Sequence, residues 1–252
     1  MQKFWSMVMH DEDGGADLYL EGEIADKTWF GDEVTPEIFR AELQKAEGRN
    51  ITVWINSPGG DVFAASMIYA ALMEHKGGVT VKIEGLAASA ASVIAMAGDR
   101  VLMAPTAYMM IHDPWTVACG NAEDVRHQAD VLDEIAEGLV LAYQIKTGLS
   151  KNKLRQMMAD ETWMSAQTAI DNGFADALMT REQAMHAQRP GEDEGDEPVD
   201  RIRSMYGRVA ACAWMRKAFG AEDAMPSPAS KAERDALMDK LAALRVAMNK
   251  IN

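Results

Sequence analysis

Along the first 180 residues, short stretches of alternating apolar and polar residues trade places with stretches of helical period. "ADLYLEGEI" (16–24), "NITVWINS" (50–57) and "VTVKIEG" (79–85) carry apolar side chains at every second position, the pattern of a strand with one face on a core. Between the last two lies "DVFAASMIYAALMEHKGG" (61–78), where Val62, Ala65, Tyr69 and Leu72 share one helical face and the closing glycines mark a helix C-terminus. Strands that alternate with helices predict parallel α/β units. A further helix starts in "ASVIAMAG" (91–98), directly after the strand "VTVKIE" and its "GLAAS" continuation.

The pattern changes near Met185. Residues 190–200, "PGEDEGDEPVD", hold six acids and no base among two prolines and two glycines, which is linker composition. Beyond it, Ile202, Met205, Tyr206, Val209 and Ala213 fall on one helical face, and Leu237, Leu241, Leu244, Met248 and Ile251 follow the four-three spacing of a short coiled-coil seam. The chain is thus expected to divide into a folded body over 1–185, an acidic linker over 186–200 and a helical extension over 201–252.

Charge sharpens that division. The net charge is −14 over 252 residues, yet residues 201–252 contain ten Lys or Arg against five Asp or Glu, so a basic tail follows an acidic body. An acidic body argues against a general nucleic-acid surface, because phosphate contacts need clustered Lys and Arg. No apolar run approaches the length of about 20 residues that crosses a bilayer, and the start "MQKFWSMVMHDEDGG" lacks a secretory apolar core. Cys119 and Cys212 form no CxxC pair, so the expectation is a reducing cytoplasm, without a disulfide framework or a zinc cluster. Neither GxxxxGK[ST] nor GxGxxG follows any strand, so no nucleotide site is expected.

Three stretches carry candidate chemistry. Ser89 lies at a strand-to-helix junction, where a sharp turn exposes a hydroxyl beside the positive helix end; the same position also suits a plain helix cap. Ser92, one turn on, faces another way and is expected to pack. Pro58-Gly59-Gly60 follows a strand and can aim bare backbone N–H groups into a cleft, as an oxyanion hole requires, or serve as an ordinary Pro-Gly turn. His112, in "MMIHDPW", is either a core histidine or the base that a nucleophilic serine needs. Their joint occurrence favours chemistry.

"WINSPGGDVFAASMIYAAL", "GLAASAASVIAMAG", "YMMIHDPW" and "ETWMSAQTAIDNGFADAL" together resemble the proteolytic subunit of the ATP-dependent Clp protease, most closely the Clp-related head-maturation proteases of tailed phages and prophages. The resemblance spans roughly residues 15–180 and implies an α/β fold, the spiral of ββα units shared with the crotonases. It implies Ser89 as nucleophile, His112 as general base, and the backbone N–H groups of Gly60 and Ala90 as oxyanion donors. For the third triad member, the family's aspartate falls on Glu161, with Asp160 one residue earlier, and Glu161 is preferred. No cofactor or metal is implied. "GNAEDVRHQADVLDEIAEGLVLAYQIKTGLS" resembles the long handle helix through which rings of the family stack, with Leu132, Ile135, Leu139 and Tyr143 at helical spacing. The partners implied are a polypeptide substrate such as capsid or scaffold protein, further copies of the chain in stacked rings, and a Clp-type ATPase. Housekeeping members end soon after the segment matching "GFADAL", so residues 186–252 are extra to the pattern. The rival classes are a crotonase-like CoA-thioester enzyme, which needs neither Ser89 nor His112, and an inactive scaffold component.

Overall fold

The computed structural model describes residues 4–10, 14–24, 36–46 and 48–184; the expected linker 186–200 and extension 201–252 lie outside the described residues. The alternating segments are strands. β1 (Trp5–Met9), β2 (Ala16–Ile24), β3 (Ile51–Gly60) and β4 (Val79–Ala88) lie side by side, and β2, β3 and β4 run parallel, as the α/β alternation predicts. β1 joins the edge antiparallel to β2. Val53, Ile55, Val81 and Ile83 share one face of the sheet and are fully buried in the main core, whereas Thr52, Thr80 and Lys82 on the other face are half-buried.

β4 forks, and the fork builds the site. Its first half, Thr80–Ile83, pairs parallel with β5 (Arg100–Met103), whereas its end, Leu86–Ala88, pairs parallel with β6 (Tyr108–Ile111). β6 in turn pairs antiparallel with β7 (Thr162–Ser165), and β5 pairs with the short β8 (Ala177–Leu178). The C-terminal ends of β3, β4 and β6 therefore converge on one edge of the sheet, the edge at which parallel α/β sheets place their ligands.

α1 (Pro36–Gln44) lies ahead of β3, and α2 (Val62–Met73) connects β3 to β4. α2 starts where Asp61 accepts a hydrogen bond from the Ala64 N–H at 2.7 Å, a cap worth about 1 kcal/mol. Its buried face is Ala64, Ala65, Ile68, Ala71 and Leu72, a rotation from the expected Val62, Ala65, Tyr69, Leu72 face. The helix is apolar nearly all round, so period alone does not select the buried side; the small alanines let it approach α3 (Ala90–Ala95) closely. The helix also stops at Met73 rather than at the glycines. A side chain on Gly77 would run into the Arg49 carbonyl, so that glycine serves a close backbone approach, not a helix cap.

α4 (Ala122–Thr147) starts with a capping box between Asn121 and Asp124 and ends at Gly148, whose φ is 70°. At 26 residues it is the long helix expected, and only its C-terminal half reaches the core, through Ala136, Leu139, Val140, Ala142 and Tyr143. Leu132 and Ile135 are half-buried where the helix leaves the body. α5 (Lys151–Ala159) and α6 (Ala166–Asp171) flank β7. Among the described residues, no helix is long and apolar enough to cross a membrane.

Candidate active site

Ser89 occupies the turn between β4 and α3 with φ 54° and ψ −127°, a backbone conformation that residues bearing a Cβ rarely adopt. Two contacts hold it there. Its N–H donates to the Met110 carbonyl of β6 at 2.8 Å, and its own carbonyl accepts from the Ser92 N–H at 2.9 Å. Ser89 makes no side-chain cap bond to α3, so its hydroxyl is left for other work and the plain helix-cap role falls away. That hydroxyl lies 2.7 Å from His112 Nε2.

His112 arrives there by register. Ala88 pairs with Met110, so His112, just past the end of β6, stands beside the turn that follows β4. Both residues are half-buried, shielded from bulk water yet open to a substrate. With Nε2 on Ser89, the ring stands where it can take the hydroxyl proton.

The two candidate acids differ sharply. Asp160 caps the end of α5, is exposed, and accepts two hydrogen bonds from the Gln156 side chain, at 2.9 and 2.8 Å. Glu161 is half-buried and has φ 48°, a second left-handed residue at the site. The ladder between β6 and β7 ends on the pair Ile111 and Thr162; His112 follows the first and Glu161 precedes the second. The same register carried one residue on sets His112 opposite Glu161. Glu161 also accepts a hydrogen bond from Trp163 Nε1 at 3.3 Å.

The glycine turn closes the third side. Gly59 has φ 93° and Gly60 φ 147°. A Cβ on Gly59 would meet the Ala88 carbonyl at 2.6 Å, Ser89 Cβ at 2.7 Å and Ala90 N at 2.9 Å, so the bare backbone of the turn is pressed against the Ser89 turn. The Asp61 N–H donates to the Ile24 carbonyl at 2.8 Å, which ties the end of the turn to β2. Ala90 N–H is the first amide of α3, one of the groups a helix start leaves without an intrahelical acceptor.

Sequence patterns did not single out Ser57. It is fully buried, donates to the Gly22 carbonyl at 2.6 Å, and accepts from the Gly59 N–H at 3.1 Å, so it fixes the Pro58-Gly59 turn from below. A serine two residues before a turn glycine is the signature of such a side-chain turn and offered the clue. Ser92 is fully buried, as packing predicts, but its hydroxyl also bonds the Ser89 carbonyl at 2.6 Å. Among the described residues, no cluster of His, Cys, Asp and Glu has the makings of a metal site.

The arrangement can therefore deprotonate a serine and aim it from a strained turn, with a bare glycine turn and the first amide of a helix close by. Comparison with known sequences agrees with that chemistry. Residues 13–182 match the family model described as Clp protease. The ATP-dependent Clp protease proteolytic subunit of Bacteroides fragilis is 30% identical over 156 residues, covering 60% of this chain and 75% of the relative. The subunit of the same name from Borrelia garinii subsp. bavariensis is 28% identical over 167 residues, covering 66% of this chain and 84% of the relative.

Proposed function

The chain belongs to the Clp protease family and is a serine-type peptidase, and from that premise we propose that Ser89, His112 and Glu161 form its triad, with the Gly60 and Ala90 amides as oxyanion hole. The observation that carries this assignment is the 2.7 Å contact between Ser89 Oγ and His112 Nε2 at a strained strand-to-helix turn. His112 takes the Ser89 proton as the hydroxyl oxygen attacks a peptide carbonyl, and the two amides bind the resulting oxyanion. The protonated imidazole then gives its proton to the leaving amine, which departs with its half of the substrate. His112 then takes a proton from a water that attacks the acyl-enzyme, and returns it to the Ser89 oxygen as the ester bond breaks and the carboxylic product leaves. Glu161, rather than Asp160, accepts from Nδ1 and stabilises the imidazolium, since Asp160 is engaged by Gln156.

Fluorophosphonate labelling, together with cleavage of short unstructured peptides, tests the assignment. The native chain labels and cleaves, and Ser89→Ala does neither. A crotonase-like enzyme or an inactive scaffold component would not label, so undiminished cleavage by Ser89→Ala or an unlabelled native chain overturns it.

The cellular role proposed is head maturation in a tailed phage or prophage, with the chain acting in the bacterial cytoplasm inside proheads on capsid or scaffold protein. Its support is the phage-type run of motifs and the basic extension that follows the acidic linker. Stacked rings of the chain would set the Ser89 sites around a closed chamber. The second reading, a subunit fed by a Clp-type ATPase, is favoured by the relatives, whose names are those of ATP-dependent proteolytic subunits. Incubation with assembled proheads and, separately, with a Clp ATPase and a folded substrate separates the two. Cleavage in proheads without ATP supports maturation, and ATP-dependent loss of the folded substrate supports turnover.

A further inference from the structure

The Ser89 carbonyl accepts from Ser92 twice, from its N–H at 2.9 Å and from its hydroxyl at 2.6 Å. A further hydroxyl, that of Tyr143 on α4, lies 2.8 Å from Ser92 Oγ. Proton counting fixes the direction of this chain. A carbonyl only accepts, so the one Ser92 hydroxyl hydrogen goes to Ser89 O, and the Tyr143 O–H must donate to the Ser92 oxygen. Ser92 is 0% and Tyr143 1% exposed, so both hydroxyls are held out of water by tertiary packing, and each has a partner that offsets its burial.

The bond at the end of the chain matters because of what the Ser89 carbonyl is attached to. A peptide unit is planar and trans, with its C=O and N–H pointing in opposite directions, so fixing one fixes the other. The N–H in the same plane as Ser89 O belongs to Ala90, the oxyanion donor next to the nucleophile. Ser89 itself sits at φ 54° and ψ −127°, a conformation that persists only where its surroundings hold it. A rotation of this one plane would turn the Ala90 N–H away from the site while leaving Ser89 and His112 in place.

We propose that Tyr143 and Ser92 are positioning residues that clamp the Ser89–Ala90 peptide and thereby hold the Ala90 N–H toward the oxyanion. The inference rests on the reading of Ser89 as nucleophile and of the Ala90 amide as oxyanion donor. Neither Tyr143 nor Ser92 touches substrate; they act through a carbonyl on the far side of the peptide from it. Burial pushes the Tyr143 phenol well above its ordinary value, so it keeps its proton and remains a donor throughout the range in which a serine-histidine pair works.

The test uses the full chain, steady-state cleavage of a fluorogenic unstructured peptide, and the rate of fluorophosphonate labelling. Ser92→Ala deletes the hydroxyl; Tyr143→Phe keeps the ring against Phe174, with centroids 5.6 Å apart, and deletes only the donor. Ser92→Ala lowers kcat about tenfold with KM within about twofold, less than the 10²–10³ of a deleted oxyanion donor because the Ser92 N–H still holds the carbonyl. Tyr143→Phe lowers kcat about threefold, and the double variant is no slower than Ser92→Ala, since one chain cannot be broken twice. The pH dependence of kcat/KM keeps its shape in every variant, because His112 is undisturbed. Should Ser92→Ala fail to fold, Tyr143→Phe carries the test alone. A kcat within twofold of native in the folded variants, a KM that rises in step with the loss, or a displaced pH profile overturns the clamp. A native chain that neither labels nor cleaves overturns the nucleophile itself, a result distinct from the loss of the clamp alone.

Discussion

A methyl group on Gly59 would stand 2.6 Å from the Ala88 carbonyl and 2.7 Å from Ser89 Cβ, on a backbone at φ 93° that side chains disfavour. Space and conformation thus both exclude it, and the Ser89 elbow is what would have to move. Gly59→Ala is expected to cost about 1–3 kcal/mol of stability and to lower peptide cleavage about 100-fold or more, since small displacements of reacting groups are expensive. Thermal melting and kcat/KM check both; native activity in the variant would show that the turn has slack. The acids give a second residue-scale prediction. Glu161→Gln removes the acceptor for Nδ1–H, favours the wrong tautomer, and should lower kcat about 10³–10⁴-fold with little change in KM. Asp160→Asn, on an exposed carboxylate bonded to Gln156, should leave kcat within about twofold. The reverse order of effects, read from the same kinetics, would transfer the orienting role to Asp160.

Single elements meet at corners, and the corner between α4 and α5 is electrostatic. Glu137 on α4 bonds both Lys151 and Arg155 of α5, and these two cations hold its carboxyl below the ordinary glutamate range. Because the folded value is depressed, the stabilisation is complete above the ordinary value and is lost as pH falls through the lowered folded value. The group is exposed, so the effect is modest. Glu137→Gln should lower the melting temperature at neutral pH, and the gap between variant and native should close as the solution is acidified. A gap that stays constant with pH would mean that packing, not charge, joins the helices. α4 also shows what period reveals at this scale. Of the four residues in its apolar repeat, Leu139 and Tyr143 lie in the core and Leu132 and Ile135 are half-buried, while α2, apolar nearly all round, buries a face rotated from the expected one.

For the molecule as a whole, every group of the candidate site falls between Ser57 and Glu161, within the region matched by the family. The expected extension begins well beyond it. Truncation after Gln188 is therefore predicted to leave peptide cleavage and fluorophosphonate labelling within about twofold of the full chain, while incorporation into proheads is lost. Size-exclusion chromatography beside the peptidase assay checks it, and an inactive monomer after truncation would show that the extension supports the catalytic body.

The strands β2, β3 and β4 were legible in the sequence because period-two alternation is a local property, and their parallel order followed from the helices between them. Ser89 and His112 were legible as candidates because each sits in a short motif at the end of a strand. What no local pattern encodes is the fork of β4, whose end leaves β5 for β6 and so brings together residues 23 apart in sequence at 2.7 Å. The same holds for Glu161, delivered opposite His112 by the register of β7, and for Ser92, whose hydroxyl acquires its partner from Tyr143, 51 residues away. Alternation and turn chemistry act over a few residues and are written there; a pair's distance depends on register and packing across the sheet, which only the folded chain decides.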